Sequence, residues 1–137
     1  MPQKDLVEGG YVSINGSDYY IELFGRSRAD ATFNCELKNM TLVSFYDTSE
    51  WQNIREWLVF NGYEFYWFWT SAIRHKNSIT WIWESNGELV TGFYWGFGQP
   101  DIPQGESETY MYFRPWSGGW DDGDSPNLSL SSICEYE

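Results

Sequence analysis

The sequence predicts a single α+β domain, with two helices near the front followed by short antiparallel sheets. Three observations predict it. The 137 residues suffice for one continuous core but not for two. Two early stretches carry helical spacing, the second with cap signals. From Tyr63 onward, aromatic and β-favouring runs alternate with polar or Gly-rich breaks. Helices followed by strands argue against both a sandwich and a parallel βαβ array. Neither an internal repeat nor a low-complexity tract is visible. Residues 11–137 are expected to form the domain, and residues 1–10 an N-terminal extension or processed start.

The elements follow in chain order. YVSINGSDYYIEL reads as a hairpin, in which Tyr11, Ile14, Tyr19 and Ile21 flank an Asn15-Gly16 step that favours a tight turn. Between Ser27 and Lys38, Asp30 suits a first turn, and the spacing of Ala31, Cys35 and Lys38 suits a helix with Cys35 inward. MTLVSF is expected to be a short buried strand. Asp47-Thr48-Ser49-Glu50 forms a capping box ahead of WQNIREWLVFNG, where Ile54, Trp57 and Leu58 share a face and Gly62 ends the helix. FYWFWTSAIR, SITWIWES, GELVTGFYWGFG and ETYMYFRPW are expected strands. Trp69, Trp81, Trp83, Trp95 and Trp120 are expected in the core. His75, in the Arg74-His75-Lys76 turn, is expected on the solvated surface.

Twenty acidic against eight basic side chains give a formal charge of -12. That charge repels nucleic acid and anionic lipid and suits hard cations. The apolar runs are too short to span a membrane, so no membrane insertion is expected. MPQKDLVEGG lacks the apolar segment of a secretory signal, so secretion requires that the numbering begin after processing or that the Met be an added one. Cys35 and Cys134 read either as two separate buried thiols or as one bridge. A bridge would close a loop spanning most of the domain, contribute roughly 4–5 kcal/mol and imply an oxidising compartment. The N-x-S/T triplets at Asn15, Asn39 and Asn127 are permissive of secretion.

Oxygen donors concentrate in Gly98-Gln99-Pro100-Asp101, in Glu106 and Glu108, and in Trp120-Asp121-Asp122 just before Ile133-Cys134-Glu135. Calcium takes about six to eight oxygen ligands and accepts carboxylates, amides and backbone carbonyls from loops. The competing reading is an ordinary solvated loop rich in Gly, Pro and acid. Pro100 restricts the backbone between two donors, and a cis Gln99-Pro100 bond would turn both side chains toward one point. A glycosidase-like acid pair is a further reading of the same residues. Without a Ser-His or Cys-His set or a phosphate loop, however, the chain is not expected to be an enzyme.

In order, TFNCELKNMTLVSF, FYWFWTS, ITWIWESNGE, YWGFGQPD, WDD and ICE resemble the C-type lectin-like domain family over nearly the whole chain. The resemblance implies a double-loop α+β fold, a Cys35–Cys134 disulfide and a secreted or extracellular setting. It implies a calcium site of Gln99, Asp101, Glu108, Asp121 and Asp122, with Glu106 replacing Glu108 if the loop is shortened. The same residues would bind a sugar whose vicinal hydroxyls complete the shell. In that family a Gln-Pro-Asp order accompanies galactose-type rather than mannose-type carbohydrate.

Three departures stand out. Tyr110 and Ser125 fall where many members carry a second disulfide. Asp121 replaces a usual Asn and, when ionised, cannot donate to a sugar oxygen. Ile102-Pro103 follows Asp101 where an aromatic is common, leaving Trp116 as the nearest ring for a sugar's apolar face. The expected function is therefore a calcium-dependent, galactose-type lectin, with a homo-oligomer favoured by avidity. The alternative is a lectin-like protein-recognition domain with structural or no calcium.

Overall fold

The structure is a computed structural model that describes residues 9–136. Residues 1–8 of the expected extension, and Glu137, lie outside the described residues. The first hairpin is β1 (Gly10–Ile14) and β2 (Ser17–Arg26), turned at Asn15-Gly16 with Ile14 opposite Ser17. Tyr11 does not share a face with Ile14, because side chains alternate along a strand. Val12 and Ile14 enter the core, while exposed Tyr11 packs edge-on against Tyr20 at 4.8 Å.

Helix α1 (Arg28–Glu36) starts at Ser27, whose side chain accepts from Asp30 N, and buries Ala31 and Cys35. Only Thr41–Leu42 of MTLVSF forms a ladder, β3. The rest of that run is tied by single bonds, Val43 N to Ile133 O and Ser71 N to Val43 O. Helix α2 (Thr48–Phe60) has the reciprocal Asp47/Glu50 capping box and buries Trp51, Ile54 and Leu58. Trp57 is only partly buried, and Gly62 takes the left-handed conformation just past the cap, φ 84°.

The second half supplies β4 (Phe68–Arg74), β5 (Ile82–Trp83), β6 (Glu88–Leu89), β7 (Thr109–Arg114), β8 (Gly119–Gly123) and β9 (Leu130–Glu135). The order β1-β2-β9-β4-β5-β6 forms one sheet, with β3 on β9 and β7 joining β4 to β8. Every pairing is antiparallel except β4 with β9, which joins the two halves of the sheet. GELVTGFYWGFG was expected to be a strand, yet only Glu88–Leu89 pairs. The remainder is loop, crossed by a single parallel bridge between Trp95 and Trp120.

Strand periodicity explains the core. Phe68 and Ala72 of β4, Met111 and Phe113 of β7, and Ile133 of β9 pack with α2 residues Trp51, Ile54 and Leu58. Their neighbours Trp69, Ile73, Tyr110 and Cys134 pack with Ala31 and Cys35 of α1. The helices therefore cover opposite faces, and β4 is buried along its whole length. Cys35 and Cys134 form a disulfide across 99 residues, with Cα atoms 5.4 Å apart. Replacing both cysteines by Ala should lower unfolding free energy by roughly 4 kcal/mol, as a loop of this length implies. Denaturant titration checks this, and an unchanged midpoint would contradict it.

Candidate functional site

The site is built where β8 meets the long loop that leaves β6. Trp120 enters the core and is fully buried. Its backbone grips the loop, N to Tyr94 O at 2.7 Å and O from Gly96 N at 2.9 Å. Gly119 must lack a side chain, since a Cβ there would lie 2.5 Å from the Gly96 backbone. The loop then tightens with Gln99 N bonded to Gly96 O at 3.0 Å and a cis Gln99-Pro100 bond.

Two buried charged groups close the arch. The Asp122 carboxylate accepts from Asp101 N through Oδ1 at 2.9 Å and from Ile102 N through Oδ2 at 3.1 Å. Arg74 donates through Nη2 to Ile102 O at 3.1 Å and Pro103 O at 3.3 Å, with its guanidinium over Trp81 at 5.2 Å. Arg74, which ends the expected FYWFWTSAIR strand next to solvated His75, is buried and holds this loop. Its position at the end of the apolar FWTSAI run was the available signal.

Acidic groups gather under the arch. Burial raises the Asp121 carboxyl above the usual Asp range, Asp101 and Asp122 raise it further, and Arg114 opposes them. Burial also raises Asp122, against the two backbone bonds that lower it, while Asp101 adds to the rise. Tyr112, opposite Asp121 in the β7–β8 ladder, is pushed up by burial and then by Asp121, Asp122, Asp101 and Asp124. Gln99 Oε1 is buried and accepts no hydrogen bond among the described residues. An acceptor without a donor beside crowded carboxylates is unfavourable for the protein alone and fits a hard cation.

Of the five expected donors, Asp101, Asp121 and Asp122 act on one another, and Gln99 lies two residues before Asp101 in the same loop. Glu108 is directed elsewhere. It accepts from Tyr110 OH at 3.1 Å and pairs with His75 Nδ1 at 3.0 Å, and the His75 bond is the main cause of its lowered pKa. Exposed His75 therefore has a partner. Among the described residues, no three carboxylate, imidazole or thiolate groups already converge as an ion cage.

Trp116 lies in a 3₁₀ turn, Pro115–Ser117, and is 59% exposed. Its ring packs on Phe65 at 6.0 Å and covers Arg114 at 5.6 Å. Sequence reasoning missed Phe97, which is fully exposed two residues before Gln99. A bulky ring between two glycines, Gly96 and Gly98, was the available signal.

Two helices covering opposite faces of a mixed sheet, with a long loop pinned to the strand beneath it, define the C-type lectin-like class of binding domains. The chain belongs to the C-type lectin domain family, whose pattern matches residues 25–136. Human lithostathine has the same fold, with TM-score 0.76, 23% identity, and coverage of 93% of this chain and 97% of that one. The mouse scavenger receptor C-type lectin carbohydrate-recognition domain matches at TM-score 0.74 and 26% identity, covering 93% and 94%. A calcium-independent type II antifreeze protein matches at TM-score 0.71 and 21% identity, covering 91% and 89%. No relative among curated proteins matches the sequence.

A carboxyl whose folded pKa is raised favours folding at low pH and opposes it as pH rises through that pKa. Asp121→Asn should therefore raise the melting temperature of the calcium-free protein at pH 7. The gain should shrink as pH falls toward about 4, the ordinary Asp range. Melting curves across that window test this, and a pH-independent gain would contradict it.

Proposed function

We propose that the chain is a calcium-dependent carbohydrate-binding domain acting outside the cell, with galactose-type sugars preferred over mannose-type. It binds and does not catalyse. The observation that carries this reading is Gln99 Oε1, buried and without a donor among the described residues, in the loop that also carries Asp101, whose charge acts on Asp121 together with that of Asp122. These four residues would hold the ion. Glu108 would be the fifth donor on leaving His75 and Tyr110; exposed Glu106 is its alternative. When bound, calcium supplies coordination positions for two neighbouring sugar hydroxyls.

The chain's own residues set the rest. The Gln99 amide can donate to one hydroxyl while the Asp101 carboxylate accepts from the other, and the order of the two underlies the galactose preference. Asp121, when ionised, accepts only. The sugar's apolar face would meet Phe97 or Trp116, both of them exposed rings. The carbohydrate-recognition domain among the matched folds supports the sugar reading. The disulfide supports an extracellular setting, and among the described residues no helix is long and apolar enough to cross a membrane. Because one such site binds weakly, a homo-oligomer would gain avidity.

A second reading, a protein-recognition domain with structural or no calcium, is favoured by the engagement of Glu108 and by the calcium-independent relative. Calcium titration separates the two. The sugar reading expects calcium to raise the melting temperature, chelator to reverse it, and galactose to displace the domain from an immobilised glycan better than mannose. Asp122→Ala should abolish both responses. No calcium effect would sink the mechanism, while a calcium effect without sugar competition would leave the second reading.

A further inference from the structure

The three N-x-S/T triplets, Asn15-Gly16-Ser17, Asn39-Met40-Thr41 and Asn127-Leu128-Ser129, play no part in the proposed site. All three asparagines are exposed. Turn chemistry accounts for two of them, since Asn15 and Asn39 have φ of 50° and 58°, a conformation Asn tolerates better than most residues. The hydroxyl residues separate the Asn39 triplet from that of Asn15. Ser17 is hydrogen-bonded to the Tyr19 side chain. Thr41 sits in β3 opposite Glu135, and its Oγ1 is buried with no hydrogen-bond partner among the described residues. A buried hydroxyl left unmade is unfavourable. Valine, of nearly the same shape and with high strand preference, would avoid that cost. The folded packing thus gives no reason for threonine here.

An unused hydroxyl two residues after an exposed asparagine has a use before folding, because N-glycosylation requires that hydroxyl at that spacing. We propose that Asn39 is an N-linked glycan attachment site, with Thr41 serving that reaction rather than the folded core. The donor is a polyisoprenyl-diphosphate-linked oligosaccharide. The Asn39 carboxamide nitrogen displaces the diphosphate from the anomeric carbon. A C–N bond forms, the C–O bond to the diphosphate breaks, one amide proton is lost, and the lipid diphosphate leaves. The folded domain can carry the product, since the turn after α1 is closed by backbone bonds, Asn39 N to Glu36 O and Met40 N to Cys35 O, that do not use the Asn39 side chain. The candidate loop is held from β8 and Arg74, whereas Asn39 leads into β3, so the glycan does not compete for the loop's anchors. The proposal is independent of the calcium reading.

The test secretes the full chain from eukaryotic cells behind a cleavable signal. Peptide-N-glycosidase digestion in heavy-oxygen water is followed by peptide mass mapping. An isotope-marked aspartate is expected at position 39. Thr41→Ser should keep the mark. Thr41→Val should lose it and yet melt no lower than the parent, both compared after deglycosylation. An unmodified Asn39 in the secreted parent, with or without marks at Asn15 or Asn127, would overturn the proposal. So would a Thr41→Val protein that melts well below the parent, because the hydroxyl would then have a structural duty.

Discussion

Trp120 is the constraint on which both the core and the candidate site depend. Its indole meets Phe45 at 5.9 Å, Trp51 at 5.9 Å, Trp83 at 6.1 Å and Tyr94 at 5.0 Å, linking α2, β5 and the long loop. Its backbone holds that loop from both sides through Tyr94 and Gly96. The next two residues are Asp121 and Asp122. One residue therefore couples aromatic burial, the dominant favourable term, to the placement of charged groups that would not assemble unaided. The indole Nε1 is buried without a hydrogen-bond partner among the described residues, so ring packing rather than a hydrogen bond accounts for the position.

The carboxylates assembled this way are held against their own electrostatics. In a chain with a net charge of -12, Asp101, Asp121 and Asp122 crowd one loop with only Arg114 acting to lower Asp121. Local hydrogen bonds offset part of this. Asp122 receives two backbone N–H groups and Arg74 secures the two carbonyls that follow. Asp122 and Arg74 thus tie the loop from two sides through backbone groups of Asp101, Ile102 and Pro103.

Legibility in the sequence followed the range of the interactions. Both helices were readable because their signals are local: Asp30 with the spacing of Ala31, Cys35 and Lys38 for α1, and the Asp47/Glu50 box for α2. The Asn15-Gly16 hairpin was readable for the same reason. The facing of Tyr11, the loop character of GELVTGFYWGFG and the burial of Arg74 were not. Each is decided by a partner distant in sequence: Tyr20 for Tyr11, Trp120 and Gly119 for the loop, and Trp81 with Ile102 and Pro103 for Arg74. At the site, Gln99, Asp101, Asp121 and Asp122 could be named because contiguous motifs carry them. The surroundings of Glu108 could not, because His75 reaches it across 33 positions.

That difference bears on how the proposed ion would enter. Each carboxylate oxygen offers two lone-pair directions, so Asp122 can keep both backbone bonds and still coordinate. The arch then need not open. Glu108 can contribute only after giving up His75 and Tyr110, and the lowered pKa shows that these bonds favour its ionised form where it stands. Glu106 is exposed, and joining the shell would require its segment of loop to fold inward. The first route breaks side-chain bonds, and the second moves a segment that Asn77 N already holds at Gly105 O, 3.2 Å. If the proposed ion binds, the choice between the two glutamates would fall to the stretch 104–107 between Pro103 and Glu108, and not to the arch that Asp122 and Arg74 already hold.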